Sequence, residues 1–193
     1  MPYLNKSCLS LLLMLMLSFR AHANDDSALM KAMQSKGYIL MLRHAIAPGF
    51  GDPDDIEIGD CSTQRNLDEQ GREQSRQIGV WLKRNNITPS AIYSSQWCRC
   101  LDTARLLDLG EVKELSALNS FFQMAENRES NIKNLKQFIS EQHTDKNLII
   151  MITHSVTISA IAGQSVASGD GILLKLNKNA SHEFISAIIP DIK

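Results

Sequence analysis

Two runs apolar at nearly every position, Tyr38-Ile39-Leu40-Met41-Leu42 and Asn147 to Thr153, constrain the fold most. A strand with one wet face alternates apolar and polar residues, so an unbroken apolar run must be covered on both faces. Helical patterns fill the space around them. Ser27 caps a stretch over Ala28 to Lys36 that Gly37 ends, and Glu69 to Arg84 carries Ile78, Trp81 and Leu82 on one face. Ala91-Ile92-Tyr93 reads as a short strand, with Ser94-Ser95 opening a helix through Leu107. Val112 lies in a weak strand, Arg128 to Glu141 is a helix, and Ser155 to Ile161 is a helix closed by Gly163. Two last strands, Gly171 to Leu176 and His182 to Ile189, flank the polar turn Asn177-Lys178-Asn179-Ala180. This alternation predicts an α/β three-layer sandwich: a mostly parallel central sheet, helices on both faces and an antiparallel edge.

The start of the chain reads differently. Met1 to Lys6 is polar with one positive charge, Cys8 to Phe19 is an almost unbroken Leu/Met run, and Ala21-His22-Ala23 has the small-x-small pattern of a signal-peptidase site. At about 12 residues the run is short of the roughly 20 that span a bilayer, so residues 1–23 are expected to be a signal peptide cleaved before Asn24. Residues 24–193 would then form the domain, exported to the periplasm or secreted, with no membrane span in the mature chain. Losing Lys6 and Arg20 and no acid moves the formal net charge from −1 to −3. With no Lys/Arg block, nucleic acid is disfavoured as a partner.

Export permits disulfides. Of the three remaining cysteines, Cys98 and Cys100 are one residue apart, which disfavours a bond between them, and no pair has a zinc-site spacing. A bridge from Cys61 to Cys98, with Cys100 as a small apolar core residue, is the candidate pairing and stays open at this point.

Ligands of such sheets bind beyond the carboxyl ends of the strands, where Arg43-His44, the Ser94 to Arg99 turn and His154 fall. Two histidines and two arginines there suit phosphoryl transfer: guanidinium forks hold the anion while a neutral imidazole nitrogen attacks. Leu42-Arg43-His44-Ala45, Ser94-Ser95-Gln96-Trp97-Cys98-Arg99-Cys100-Leu101-Asp102-Thr103-Ala104 and Ile152-Thr153-His154-Ser155, in that order, together resemble the histidine phosphatase superfamily of phosphoglycerate-mutase-like fold. Arg65-Asn66-Leu67 before Gly71 looks like the segment before the first long helix in its short phosphohistidine-phosphatase branch, and the chain as a whole also resembles small exported bacterial members. The resemblance implies that His44 is the nucleophile that becomes phosphohistidine, with Arg43, Arg99 and His154 forming the phosphate pocket. Arg65, Asn66 and Ser155 would be further substrate contacts. It implies neither cofactor nor metal.

The departures matter as much. Ala45 stands where the family usually has glycine, and Ser155 follows His154 in place of the aspartate of phytase-like members. No acid falls where the family's proton donor is expected, leaving Glu114 and Glu126, which flank that segment, as candidates. A missing acid suits substrates with a good leaving group, because protonation then contributes less. The loop Pro48 to Asp55 lacks the spacing of a calcium loop and is expected to form a rim over His44, its acids repelling polyphosphates. The function expected is metal-independent hydrolysis of a small phosphomonoester or related phosphoryl group, on a free substrate or a phosphorylated envelope component. The rivals are a phosphate-binding module without turnover and a zinc hydrolase. His143 and His182 have no company of interest.

Overall fold

The computed structural model describes residues 27–179 and 181–192; the expected signal peptide, with Cys8 and His22, and the turn residue Ala180 lie outside the described residues. Contacts divide the chain into residues 1–32 and residues 33–193. Helix α1 covers residues 27–34. Strand β1 (Tyr38–Arg43) has its four central residues buried, as an all-apolar run requires. Helix α2 (Glu69–Arg84), β2 (Ala91–Ser94), helix α3 (Cys98–Leu106), β3 (Val112–Glu114), helix α4 (Arg128–Ser140), β4 (Ile149–Thr153), helix α5 (Ser155–Ala162), β5 (Gly171–Leu176) and β6 (His182–Ile188) follow. The sheet order is β3-β2-β4-β1-β5-β6. The first four strands in that order are parallel, while β5 and β6 run antiparallel at one edge.

Alternation along the strands builds two cores. Ile39 and Met41 of β1, with Ile149 and Met151 of β4 and Ile172 and Leu174 of β5, pack against Leu135 and Ile139 of α4 and Ile158 of α5. Leu40, Leu42, Ile150 and Ile152 point to the opposite face, where α3 packs on β2 and β4 and α2 packs on α3. There Ile78, Trp81 and Leu82 of α2 are buried.

Several element ends differ from the sequence reading by one or two residues, and the start of α3 by more. Ser94 and Ser95 do not open a helix: Ser94 is paired within β2 and the Ser95 N–H donates to the Ile152 carbonyl at 2.9 Å. The ladder to β4 claims these residues, so α3 begins only at Cys98, with Trp97 as its cap. Gly71, by contrast, explains a motif. Asp68 caps α2 by accepting from the Gly71 N–H at 2.8 Å, and a Cβ at position 71 would run into the Ile46 carbonyl. The loop after β1 therefore lies directly on the first turn of α2.

Candidate active site

Because β2, β4 and β1 are parallel neighbours, their carboxyl ends meet at one edge of the sheet. Arg43 is in register with Thr153, and the His44 N–H donates to the Thr153 carbonyl at 3.0 Å. This sets His44 beside His154, their rings 5.5 Å apart and edge-to-face. Both are 3% exposed. Arg99 arrives from the first turn of α3, and Arg65 from the long loop between β1 and α2. Arg43, His44, Arg65, Arg99, His154 and Ser155 all line one cavity of about 280 Å³.

The nucleophile candidate has a defined tautomer. His44 Nδ1 lies 2.8 Å from the Ala45 carbonyl, which can only accept, so Nδ1 carries the proton and Nε2 keeps its lone pair. The Arg99 Nε–H donates to that Nε2 at 3.3 Å. Burial first, then the Arg99 charge, push the His44 pKa down to about 3, leaving the ring neutral near neutral pH. Ala45 is fully buried with its N–H on Thr103 Oγ1 at 3.0 Å, so a methyl group is accommodated where the family has glycine. His154 is lowered as well, by burial and then by the charge of His44. Its Nε2 meets Ser95 Oγ at 2.8 Å.

The arginines are held unequally. Arg43 Nη1 donates to the Val166 carbonyl at 3.0 Å, while its buried Nε–H has no partner among the described residues. Arg65 donates from Nε to the Gly51 carbonyl at 2.7 Å and from Nη1 to the Ala47 carbonyl, bracing the loop over the cavity. Arg99 is committed to Asp52: Nη1 and Nη2 reach Oδ1 and Oδ2 at 2.7 and 3.0 Å, in a fork-to-fork pair.

Asp52 is the site residue that sequence reasoning missed. It is not a solvated rim acid: its side chain is 7% exposed and also accepts from the Arg65 N–H at 3.0 Å and Trp97 Nε1–H at 3.1 Å. Burial alone would raise its pKa, but the hydrogen bonds and charge of Arg99 outweigh that and hold it below the ordinary value. Asp54 and Asp55 of the same loop are the exposed acids. Nothing in residue spacing separates Asp52 from these two; only burial does.

Three other expectations need correction. Glu114 ends the edge strand β3 with its carboxylate exposed and against Gln96, and Glu126 sits in an exposed one-turn helix, so neither lines the cavity. Asn66 does not line it either; its Nδ2 donates to the carbonyls of Cys61 and Gln64 and closes the loop beneath. Cys61 and Cys98 are joined in a disulfide with Cα atoms 5.7 Å apart, which ties that loop to the residue before Arg99. Cys100 is buried and unbridged; burial pushes its thiol up to about 12. Among the described residues no three His, Cys, Asp or Glu side chains are grouped to hold a metal ion.

Residues 39–125 match the family model of the histidine phosphatase superfamily, branch 1. No curated protein sequence matches. Among solved structures, the protein histidine phosphatase SixA complexed with tungstate shares the fold at TM-score 0.56 and 16% identity, covering 79% of this chain and 97% of its own. A phosphoserine phosphatase from Entamoeba histolytica, in complex with 3-phosphoglyceric acid, does so at TM-score 0.59 and 13% identity, covering 80% and 98%. The matched segment runs from β1 across the Arg65 loop and α3, the parts that supply His44, Asp52, Arg65 and Arg99, and over that segment the chain is similar to the histidine phosphatase superfamily.

Proposed function

We propose that the protein is a phosphatase that hydrolyses a phosphomonoester or related phosphoryl group through a phosphohistidine at His44. The observation that carries the reading is a neutral His44, unprotonated at Nε2, lining one cavity with the guanidinium groups of Arg43, Arg65 and Arg99. Nε2 attacks phosphorus as the bond to the leaving oxygen breaks, and the leaving group departs with the electron pair. Water then attacks phosphorus, the P–N bond breaks, and the electron pair returns to His44 while inorganic phosphate is released. Arg43, Arg65 and Arg99 stabilise the charge spread over the equatorial oxygens. Three guanidinium groups against the one Asp52 carboxylate leave a formal +2, which matches a monoester dianion.

Asp52 lines the cavity but is ionised against Arg99, so it is not a ready proton donor. A site of this kind works best on phosphoryl groups whose leaving atom needs no proton. Export belongs to the reading: the Cys8 to Phe19 run, the Ala21-His22-Ala23 site and the Cys61–Cys98 bridge support it, since disulfides persist in oxidising compartments. The same lack of a free acid favours one rival, a module that binds a phosphorylated ligand without turning it over.

The test is hydrolysis of a generic aryl phosphate between about pH 5 and 7, with chelator present, beside a His44→Ala control. Chelator-resistant turnover that disappears in the variant is the expected result. Turnover that persists in the variant overturns the role of His44, and phosphate binding with no turnover by either protein supports the binding module.

A further inference from the structure

The cavity is amphipathic: its floor is cationic and its mouth is aromatic. Phe50 is 89% exposed and Phe122 49% exposed, yet both line the same cavity as His44, together with Ala47 and Val156. Their rings stand edge-to-face, 5.1 Å apart. Leaving a phenyl ring so exposed forgoes the gain of burying it, and here the backbone that carries it is held firmly. Gly49 and Gly51 on either side take positive φ values of 95° and 69°. Arg65 anchors the Ala47 and Gly51 carbonyls. The Gln123 side-chain amide accepts from the Asp52 N–H at 2.6 Å and donates to the Asp52 carbonyl at 2.9 Å, pinning the loop to the segment that carries Phe122. The ring is thus presented at the mouth by a braced loop.

In-line displacement fixes what meets it. With His44 at the buried floor attacking phosphorus, the leaving oxygen lies on the far side of phosphorus, toward the mouth. Whatever is attached to that oxygen passes between Phe50, Phe122 and the Ser155-Val156 end of α5. A further phosphate or carboxylate there would face apolar rings. A flat apolar group would extend the edge-to-face pair into a three-ring cluster, the geometry aromatic rings favour.

We infer that Phe50 and Phe122 form a leaving-group subsite that selects monophosphates of flat, uncharged aromatic groups. The inference rests on the phosphatase reading above for the direction of the leaving group. The test compares kcat/KM for 2-naphthyl and phenyl phosphate, whose leaving oxygens are chemically alike, in the wild type and in Phe50→Ala, Phe50→Leu and Phe122→Ala. Both positions are exposed enough for the variants to fold, which unchanged melting curves will verify. The wild type should favour the naphthyl ester by about three- to tenfold, a ring-contact effect. That ratio should collapse toward one in the alanine variants and in Phe50→Leu. A ratio near one in the wild type, or one that survives all three substitutions, overturns the subsite.

Should the wild type turn over neither ester, the phosphatase reading fails by the His44 comparison, and the subsite is read separately by calorimetry. The naphthyl ester should then bind the wild type three- to tenfold more tightly than the phenyl ester, an advantage lost in Phe50→Ala. Equal affinities overturn the subsite. So does an n-octyl phosphate that binds as tightly as the naphthyl ester, since any apolar group would then serve.

Discussion

Replacing Asp52 by asparagine keeps the shape of the side chain and removes its charge, which leaves the Arg99 guanidinium without its counter-ion. Arg99 is 3% exposed and Asp52 7% exposed, so the pair is buried on both sides. Breaking a buried pair from one side costs about 3–5 kcal/mol, and because this one borders a cavity open to water the lower end applies. For a chain of this size each kcal/mol moves the melting midpoint by about 2–4 °C, so a fall of about 6–12 °C is expected. Ligand binding should move the other way. The pocket gains a unit of positive charge and the freed fork can take two phosphate oxygens, so inorganic phosphate should bind about tenfold more tightly, the worth of one charge-assisted hydrogen bond. Phosphate should therefore raise the melting point of the variant more than that of the wild type. Turnover should fall, because the product phosphate is held more tightly and leaves more slowly. Differential scanning fluorimetry with and without phosphate, calorimetry and steady-state kinetics read all three. An Asp52→Asn protein that loses phosphate affinity together with stability would refute the reasoning, showing that the carboxylate builds the anion site and does not compete for it.

The remaining predictions concern stability. The Cys61–Cys98 bridge closes a separation of 37 residues, for which chain entropy gives about 4 kcal/mol; reduction, or Cys61→Ser, should lower the denaturation midpoint accordingly and raise KM through the loosened Arg65 loop, and an unchanged midpoint would count against this. His44 has a folded pKa of about 3 against 6.5 ordinarily, so between these values the unfolded chain binds the proton first. Stability is then complete above about pH 6.5 and is lost as pH falls toward 3, by up to about 1.4 kcal/mol per pH unit. A His44→Asn variant should melt with a flatter profile between pH 7 and 5, and equal slopes would contradict the burial argument.

Much of this architecture is legible in one dimension, because the signals are local. The all-apolar runs of β1 and β4 declare strands covered on both faces. The Ile78, Trp81 and Leu82 stripe marks the buried face of α2, and Gly163 in the left-handed conformation closes α5. Arg43, His44, Arg99, His154 and Ser155 meet at one cavity as their motif order anticipates, since parallel strands bring their carboxyl ends together, while Arg65 reaches the same cavity from the long loop between β1 and α2. The Ser-Ser and Thr-Ala frame around Arg99 also has a physical meaning: Ser95 holds His154 Nε2, and Thr103 holds the Ala45 N–H.

What escaped the sequence depends on burial and on partners far along the chain. Asp52 reads like Asp54 and Asp55 until the loop folds back and sets it against Arg99, 47 residues later. Glu114 and Glu126 look like proton donors by position, but the edge strand and the one-turn helix that carry them face water. Phe50 and Phe122 lie in separate irregular segments with no period to announce them, and only the packing of those segments across the cavity makes them a pair. The sequence by itself determined the sheet, its flanking helices and the chemistry gathered at the strand ends, because periodicity and strand polarity are local properties. Tertiary structure alone decided which acid is buried and what lines the mouth, because charge pairing and exposure depend on contacts that no local window contains.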